Sequence, residues 1–197
     1  TKPLLKYNEK EYWSTRTNPN SRAGSSTSSP EVIKFINSFG NQESNILLFG
    51  PGNGRMLKYY PYDKVTAFDV HDSYEKMLFE SAKNNDIDLS LVVSDKIKYA
   101  GFSESEFDIA FSVSVFLHIR PENIIDDLRE LLYCSKRIVG VSYFCGNSPI
   151  HKAGFGPKDN TYCFNYDYES LSAQCGANIS NIEKDPKKKQ IRFIMER

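Results

Sequence analysis

The chain predicts an α/β fold: a mostly parallel sheet of seven strands with an antiparallel C-terminal hairpin strand and helices on both faces. Three observations predict it. Five apolar runs alternate with helix-like segments at βα spacing. Two further strand-like runs, residues 178–182 and 190–195, flank a turn at Asp185-Pro186 and read as a hairpin. The third is a glycine-rich turn that follows the first run and precedes a helix-like segment.

In order, Ser29-Pro30 opens the first regular helix, with Ser as N-cap and Pro at the first helical position. Val32, Ile33, Phe35, Ile36 and Phe39 mark its apolar face, and Gly40 ends it. Asn45-Ile46-Leu47-Leu48-Phe49 is the first strand, and residues 55–60 read as the start of a helix. Val65-Thr66-Ala67-Phe68 is the second strand, closed by Asp69. Asp72-Ser73-Tyr74-Glu75 has the pattern of a capping box, followed by Met77, Leu78 and Ala82 at helical spacing. Residues 89–93 form the third strand and 107–113 the fourth. Pro121 opens a helix with Ile124, Ile125, Leu128, Leu131 and Leu132 on one face, and residues 137–144 are the fifth strand. Residues 145–166 read as a long irregular stretch. Asp167 then caps a short helix that Gly176 terminates.

Composition bounds the function. With 197 residues the chain suits one domain, residues 30–197, behind an N-terminal lid or cap of residues 1–29. Zero formal net charge argues against nucleic acid as a partner, because counterion release needs a basic face. The one basic run, Lys187-Lys188-Lys189, reads as a solvated turn. Four dispersed cysteines without a C-x-x-C suggest thiols in a reducing cytoplasm. No apolar run approaches the ~20 residues of a membrane span.

Gly50-Pro51-Gly52-Asn53-Gly54 carries most of the functional signal. Only glycine lets backbone come close to a nucleotide-like ligand, and a carboxylate at Asp69 can accept two hydrogen bonds from a ribose diol. The dinucleotide fingerprint G-x-G-x-x-G does not fit, since Arg55 stands where its third glycine belongs. An ordinary strand-to-helix turn is the competing reading of the three glycines, and a strand-end cap that of Asp69.

G-x-G-x-G followed by an acid at the end of the second strand resembles the class I, Rossmann-like S-adenosylmethionine-dependent methyltransferases of small-molecule type. The resemblance extends over about residues 30–197. Val65-Thr66-Ala67-Phe68-Asp69-Val70 is similar to the family's V-x-G-x-D-x stretch, with Ala67 in place of the common glycine. Phe107-Asp108-Ile109-Ala110, then Val115-Phe116-Leu117-His118-Ile119, resembles its F-D-x-V…V-L-x-H segment. The resemblance implies S-adenosylmethionine as cofactor, with Gly50, Pro51, Gly52, Asn53 and Gly54 beneath its methionine part. It implies that Asp69 holds the ribose hydroxyls and that Val70 packs on the adenine. Ser94, Asp95 and Lys96 would flank the ring, with Asp95 accepting the adenine amino group; an exposed loop acid is the alternative. Ser112 completes the cofactor set, and Arg22 (or Arg16) is a partner for the cofactor carboxylate or an anionic acceptor, unless both are solvated arginines.

Methyl transfer needs alignment and exclusion of water more than acid–base chemistry. A base is required only for a hydroxyl or a protonated amine acceptor. His118 is the first candidate and His151 the second, against readings as a site-wall and a surface histidine; Tyr143 and Tyr162 could contribute. Lys152, Lys158, Asn147 and Asn160 suit a polar acceptor such as a sugar or phosphate derivative. Ser112-Val113-Ser114-Val115 lacks the [DNS]-P-P-[FYW] motif of amino-methylating DNA enzymes, and serines stand where catechol-type enzymes place an acidic ligand, so no metal is expected. Lys, Asn, Ile and Tyr usage suggests an AT-rich bacterial genome, where such enzymes tailor surface glycans. Two alternatives stand beside the enzyme reading: an NAD-type oxidoreductase, and a binding subunit that has lost turnover.

Overall fold

Short runs of β-branched and aromatic residues bury themselves only by pairing side by side and being covered from both faces. The computed structural model describes residues 9–14, 29–39, 41–143, 150–152 and 162–197. In chain order the elements are α1 (Glu9–Ser14), α2 (Pro30–Asn37), β1 (Ile46–Phe49), β2 (Lys64–Asp69), α3 (Glu75–Asn84), β3 (Asp88–Val93), β4 (Ile109–Val113), α4 (Ile124–Cys134), β5 (Arg137–Tyr143), β6 (Ile150–Lys152), β7 (Tyr162–Phe164), α5 (Tyr168–Gln174), β8 (Asn178–Asp185) and β9 (Gln190–Glu196). Seven strands form one sheet in the order β3-β2-β1-β4-β5-β9-β8. The first five are parallel, and β9 lies antiparallel between β5 and β8. This is the expected architecture.

The two faces have separate cores. On one, Val32, Phe35 and Ile36 of α2 and Leu78 and Ala82 of α3 pack on Leu48, Val65, Ala67, Phe111 and Val141. On the other, Ile124, Leu128, Leu131 and Leu132 of α4 and Leu171 of α5 pack on Leu47, Phe68, Ala110, Ile138 and Phe193. No helix of the described residues is long and apolar enough to cross a membrane. Cys134 and Cys163 are buried and Cys175 half-buried, all as thiols.

Local chemistry explains most boundaries. Ser29 Oγ accepts from Val32 N at 3.5 Å, capping α2 as expected. The expected stop at Gly40 lies outside the described residues. Asp167 Oδ1 accepts from Glu169 N and Ser170 N at 3.2 and 3.3 Å and caps α5. Asp167→Ala is expected to lower the melting temperature by about 2–4 °C, the equivalent of ~1 kcal/mol in a chain of this size, read by calorimetry. The β8–β9 turn is built by Asp185 Oδ1, which accepts from Lys187 N and Lys188 N.

Four expectations need correction. After the glycine turn there is only one 3₁₀ turn, Leu57–Tyr59, because Pro61 restricts Tyr60 to an extended conformation (φ −88°, ψ 130°). The capping box at residues 72–75 does not form: α3 starts at Glu75 with no side-chain cap, and the Glu75 amide donates to Asp72 O at 2.9 Å instead of to a side chain. Pro121 opens a turn rather than α4 itself, which begins at Ile124. Within the stretch expected to be irregular, β6 and β7 pair antiparallel, Ile150 opposite Phe164.

Candidate active site

The carboxyl ends of the parallel strands bring the glycine turn, Asp69, Ser94 and Ser112 to one end of the sheet. Chain order reverses between β1 and β4, and such a switch point leaves a crevice in which open α/β sheets hold ligands. Gly50, at the end of β1, donates its N–H to Phe68 O of β2 at 2.8 Å. Gly50, Gly52 and Gly54 have φ of +70°, +55° and +76°, the left-handed region that favours glycine. Their roles differ. A Cβ at Gly50 would lie 2.6 Å from Val115 Cγ2, and one at Gly54 would lie 2.9 Å from Leu78 Cδ1. Those two glycines let the turn pack against its own protein. A Cβ at Gly52 meets nothing within 4 Å among the described residues, so this is where backbone faces open space. Asn53 Oδ1 accepts from Arg55 N at 3.2 Å and Gly54 N donates to Pro51 O at 3.2 Å, which holds the turn.

Asp69 ends β2 with its side chain largely buried. Oδ1 accepts from Val70 N at 2.8 Å, and the backbone amides of Gly52 and His71 also bear on the carboxylate. The glycine turn and the acid are therefore one unit. Burial raises the Asp69 carboxyl above its ordinary value; His71 and these amides oppose the shift without cancelling it.

Beyond β3, Ser94 N donates to Asp69 O at 3.2 Å. Asp95 is exposed, its side chain 68 % accessible, and is ion-paired with Lys10 of α1. Lys96 Nζ donates to Asn123 Oδ1 at 3.4 Å. Ser112 Oγ is buried on β4 with no hydrogen-bond partner among the described residues, as is Ser114 Oγ, whose residue has φ +62°. His118 ends a 3₁₀ turn after β4. Its Nδ1 lies 3.9 Å from Cys163 Sγ of β7, and Trp13 of α1 meets its ring edge-on at 5.1 Å. Tyr143 Oη accepts from Gln190 Nε2 at 3.1 Å. The structure thus brings together the glycine turn, Asp69, Ser94 and Ser112 at one end of the sheet, with His118 on the turn beyond β4. Arg16, Arg22, Asn147, Lys158 and Asn160 lie outside the described residues, as do the side chains of His151, Lys152 and Tyr162.

Two residues here carry more than the sequence reading gave them. His71, two positions past Asp69, is 7 % exposed and faces the carboxylate. The only signal for it is its place next to a strand-end acid. Arg55 is half-buried; burial lowers its guanidinium and Tyr143 opposes that, which ties the glycine turn to the end of β5.

Glycine turn, strand-end acid and switch point have the arrangement in which Rossmann-like folds hold a nucleoside. Residues 47–139 match the family model described as "Methyltransferase domain". That match spans just under half of the chain, and the fold is that of the class I S-adenosylmethionine-dependent methyltransferases. The fold is similar to a chain of the complex between the Haloferax volcanii Trm112 methyltransferase activator and a methyltransferase (TM-score 0.72, 10% identity, covering 96% of this chain and 98% of that one). It is also similar to an S-adenosylmethionine-dependent methyltransferase from Methanosarcina mazei (TM-score 0.67, 13% identity, 86% and 97% covered). A third similar structure is the Burkholderia thailandensis 1,6-didemethyltoxoflavin-N1-methyltransferase with bound 1,6-didemethyltoxoflavin and S-adenosylhomocysteine (TM-score 0.66, 14% identity, 87% and 78% covered). No curated protein matches the chain.

The residues present fit S-adenosylmethionine. Gly52 leaves room for close approach, Asp69 offers a carboxylate to a diol, and the orphaned buried hydroxyls of Ser112 and Ser114 are groups a bound ligand can satisfy.

Proposed function

We propose that the chain transfers a methyl group from S-adenosylmethionine to an O or N atom of a small polar acceptor, such as a sugar, a phosphate derivative or a surface-glycan precursor, in a bacterial cytoplasm. The observation that carries the site assignment is the Asp69 carboxylate joined to the Gly52 amide at the switch point. The bound cofactor supplies a methyl carbon already activated by a sulfonium. Asp69 accepts both hydroxyls of the ribose, while Gly50, Pro51, Gly52, Asn53 and Gly54 shape the floor under the methionine part. Val70, Ser94, Asp95 and Lys96 border the adenine, with Ser112 below, and Arg22 is the further proposed contact.

Residues 1–29 act as a lid over the domain of residues 30–197. Support for this comes from α1, which reaches Asp95 through Lys10 and His118 through Trp13. His118 takes the proton from the acceptor hydroxyl or amine, with His151 as the second candidate. Closing Trp13 over His118 excludes water, and alignment of the nucleophile supplies much of the rate.

His118→Ala tests the base. With radiolabelled S-adenosylmethionine and a panel of hydroxylated and amino small molecules, kcat is expected to fall about 10²–10⁴-fold. The Kd for S-adenosylhomocysteine should stay within about twofold. Unchanged turnover removes His118 from the mechanism. Tight S-adenosylhomocysteine binding with no transfer to any acceptor would point to the binding-subunit alternative.

A further inference from the structure

His71 is a buried histidine that the proposed reaction does not use. It stands two residues after Asp69, between the end of β2 and the start of α3. Its two ring nitrogens do different work. Nδ1 accepts the N–H of Ser73 at 3.2 Å, so Nδ1 carries no proton. The ring proton of a neutral imidazole then resides on Nε2. That atom lies 3.5 Å from Asp69 Oδ1, the oxygen that also accepts from Val70 N at 2.8 Å. Tyr74 meets the imidazole edge-on, with ring centroids 5.2 Å apart, and fixes its plane. The His71 side chain is 5 % exposed, which limits competition from water for either nitrogen.

From this geometry we propose that His71 is a positioning residue for cofactor binding: its Nε2–H and the Val70 amide hold Asp69 Oδ1 from two sides and fix the carboxylate plane that receives the ribose diol. The terminal torsion of Asp is broad, and whatever freedom the Val70, Gly52 and His71 amides leave it must be lost when a ligand binds. A second donor on the same oxygen removes that freedom before the ligand arrives, so less ordering is left for binding. The Ser73 bond is the other half of the device. It fixes the tautomer. The inference rests on the assignment of Asp69 to the ribose.

Three variants and two ligands separate these points. His71→Gln places an amide N–H where Nε2 reaches Asp69. His71→Asn keeps an acceptor for Ser73 but is too short to reach the carboxylate. Asp69→Asn tests the underlying assignment. Each full-length protein is titrated by calorimetry with S-adenosylhomocysteine and with its 2′,3′-dideoxy counterpart. His71→Asn is expected to bind S-adenosylhomocysteine about tenfold more weakly than wild type, and His71→Gln within about threefold, the scale of one hydrogen bond to a charged group. Against the dideoxy ligand, His71→Asn should lose almost nothing further, because the diol through which His71 acts is gone. Equal weakening toward both ligands would reduce His71 to a structural residue and overturn the proposal, as would wild-type affinity in His71→Asn. If Asp69→Asn keeps wild-type affinity, the ribose assignment fails first; if only Asp69→Asn loses affinity, the His71 proposal alone fails. Long-range ¹H–¹⁵N NMR on the wild type needs no variant. A protonated Nε2 and bare Nδ1 are expected, and a protonated Nδ1 overturns the proposal.

Discussion

Asp69→Asn is expected to weaken S-adenosylhomocysteine binding by more than about 100-fold and, in the ligand-free protein at neutral pH, to raise the melting temperature. The two effects share one cause. In the proposed complex the carboxylate accepts two hydroxyl donors, and hydrogen bonds to a charged group contribute roughly 1.5–3 kcal/mol each. Asn keeps one acceptor oxygen and turns the other position into a donor, which faces a hydroxyl with the wrong polarity. Stability moves the other way. Burial holds the folded Asp69 carboxyl above its ordinary value, so the folded chain keeps this proton at a pH where the unfolded chain has lost it. The contribution of Asp69 to stability is therefore complete below the ordinary carboxylate range. It is lost as pH rises through the folded value, and at neutral pH the buried charge is a cost. A neutral amide removes that cost, and a chain of this size gains about 2–4 °C per kcal/mol recovered. By the same linkage, cofactor affinity in the wild type should fall on acidification at a higher pH than an unperturbed carboxylate would give. Calorimetric titration and thermal scans at several pH values read all three effects. Wild-type affinity in Asp69→Asn would sink the ribose assignment.

What the sequence revealed was mostly short-range chemistry. The first strand, the glycine turn and Asp69 lie within one βα unit, and their residue types alone dictate a close-approach turn with an acid beside it. Ser29 and Asp167 were legible as caps, and Asp185 as a turn, because each acts on amides two or three residues away. Asp72-Ser73-Tyr74-Glu75 misled because the Glu75 amide, which a capping box gives to the side chain of its first residue, donates to the Asp72 backbone carbonyl at 2.9 Å. The helix expected after Gly54 fails on Pro61, which holds Tyr60 extended and stops the chain after one 3₁₀ turn. Contacts across the chain were not legible. Lys10 reaches Asp95, and Trp13 reaches His118, only because this end of the sheet brings α1 beside both. The pairing of β6 with β7 is likewise set by tertiary placement, since neither three-residue segment carries a strand pattern of its own.

Gly140→Ala is expected to destabilise the chain by about 3 kcal/mol or more, an effect on the scale of Phe193→Ala, for which about 3–5 kcal/mol is expected. Gly140 sits mid-strand in β5, directly opposite Phe193 of the antiparallel β9. It needs no unusual backbone conformation. What it provides is space: a Cβ there would lie 2.2 Å from Phe193 Cζ and 2.5 Å from Cε1. The ring cannot retreat. It is 0 % exposed, stacks on Tyr168 at 4.2 Å between centroids, and meets Phe116 at 6.1 Å. Tyr168 is itself anchored, its hydroxyl 2.8 Å from Ser142 Oγ. An added methyl group therefore forces a rotamer change through a stack of three aromatic rings, whereas Phe193→Ala leaves a cavity in it. Each defect partly relieves the other. The double variant Gly140→Ala/Phe193→Ala should be less destabilised than the sum of the singles by about 1 kcal/mol or more, measured by urea denaturation. Additivity within error, or a Gly140→Ala cost below about 0.5 kcal/mol, would show that the ring has room to move. The stack also reaches the site. Phe116 leans on both Phe193 and Phe49 and begins the turn that His118 ends, so loss of the Phe193 ring should loosen the His118 wall while leaving the glycine turn in place. In Phe193→Ala, methyl-transfer turnover is accordingly expected to fall more than affinity for S-adenosylhomocysteine.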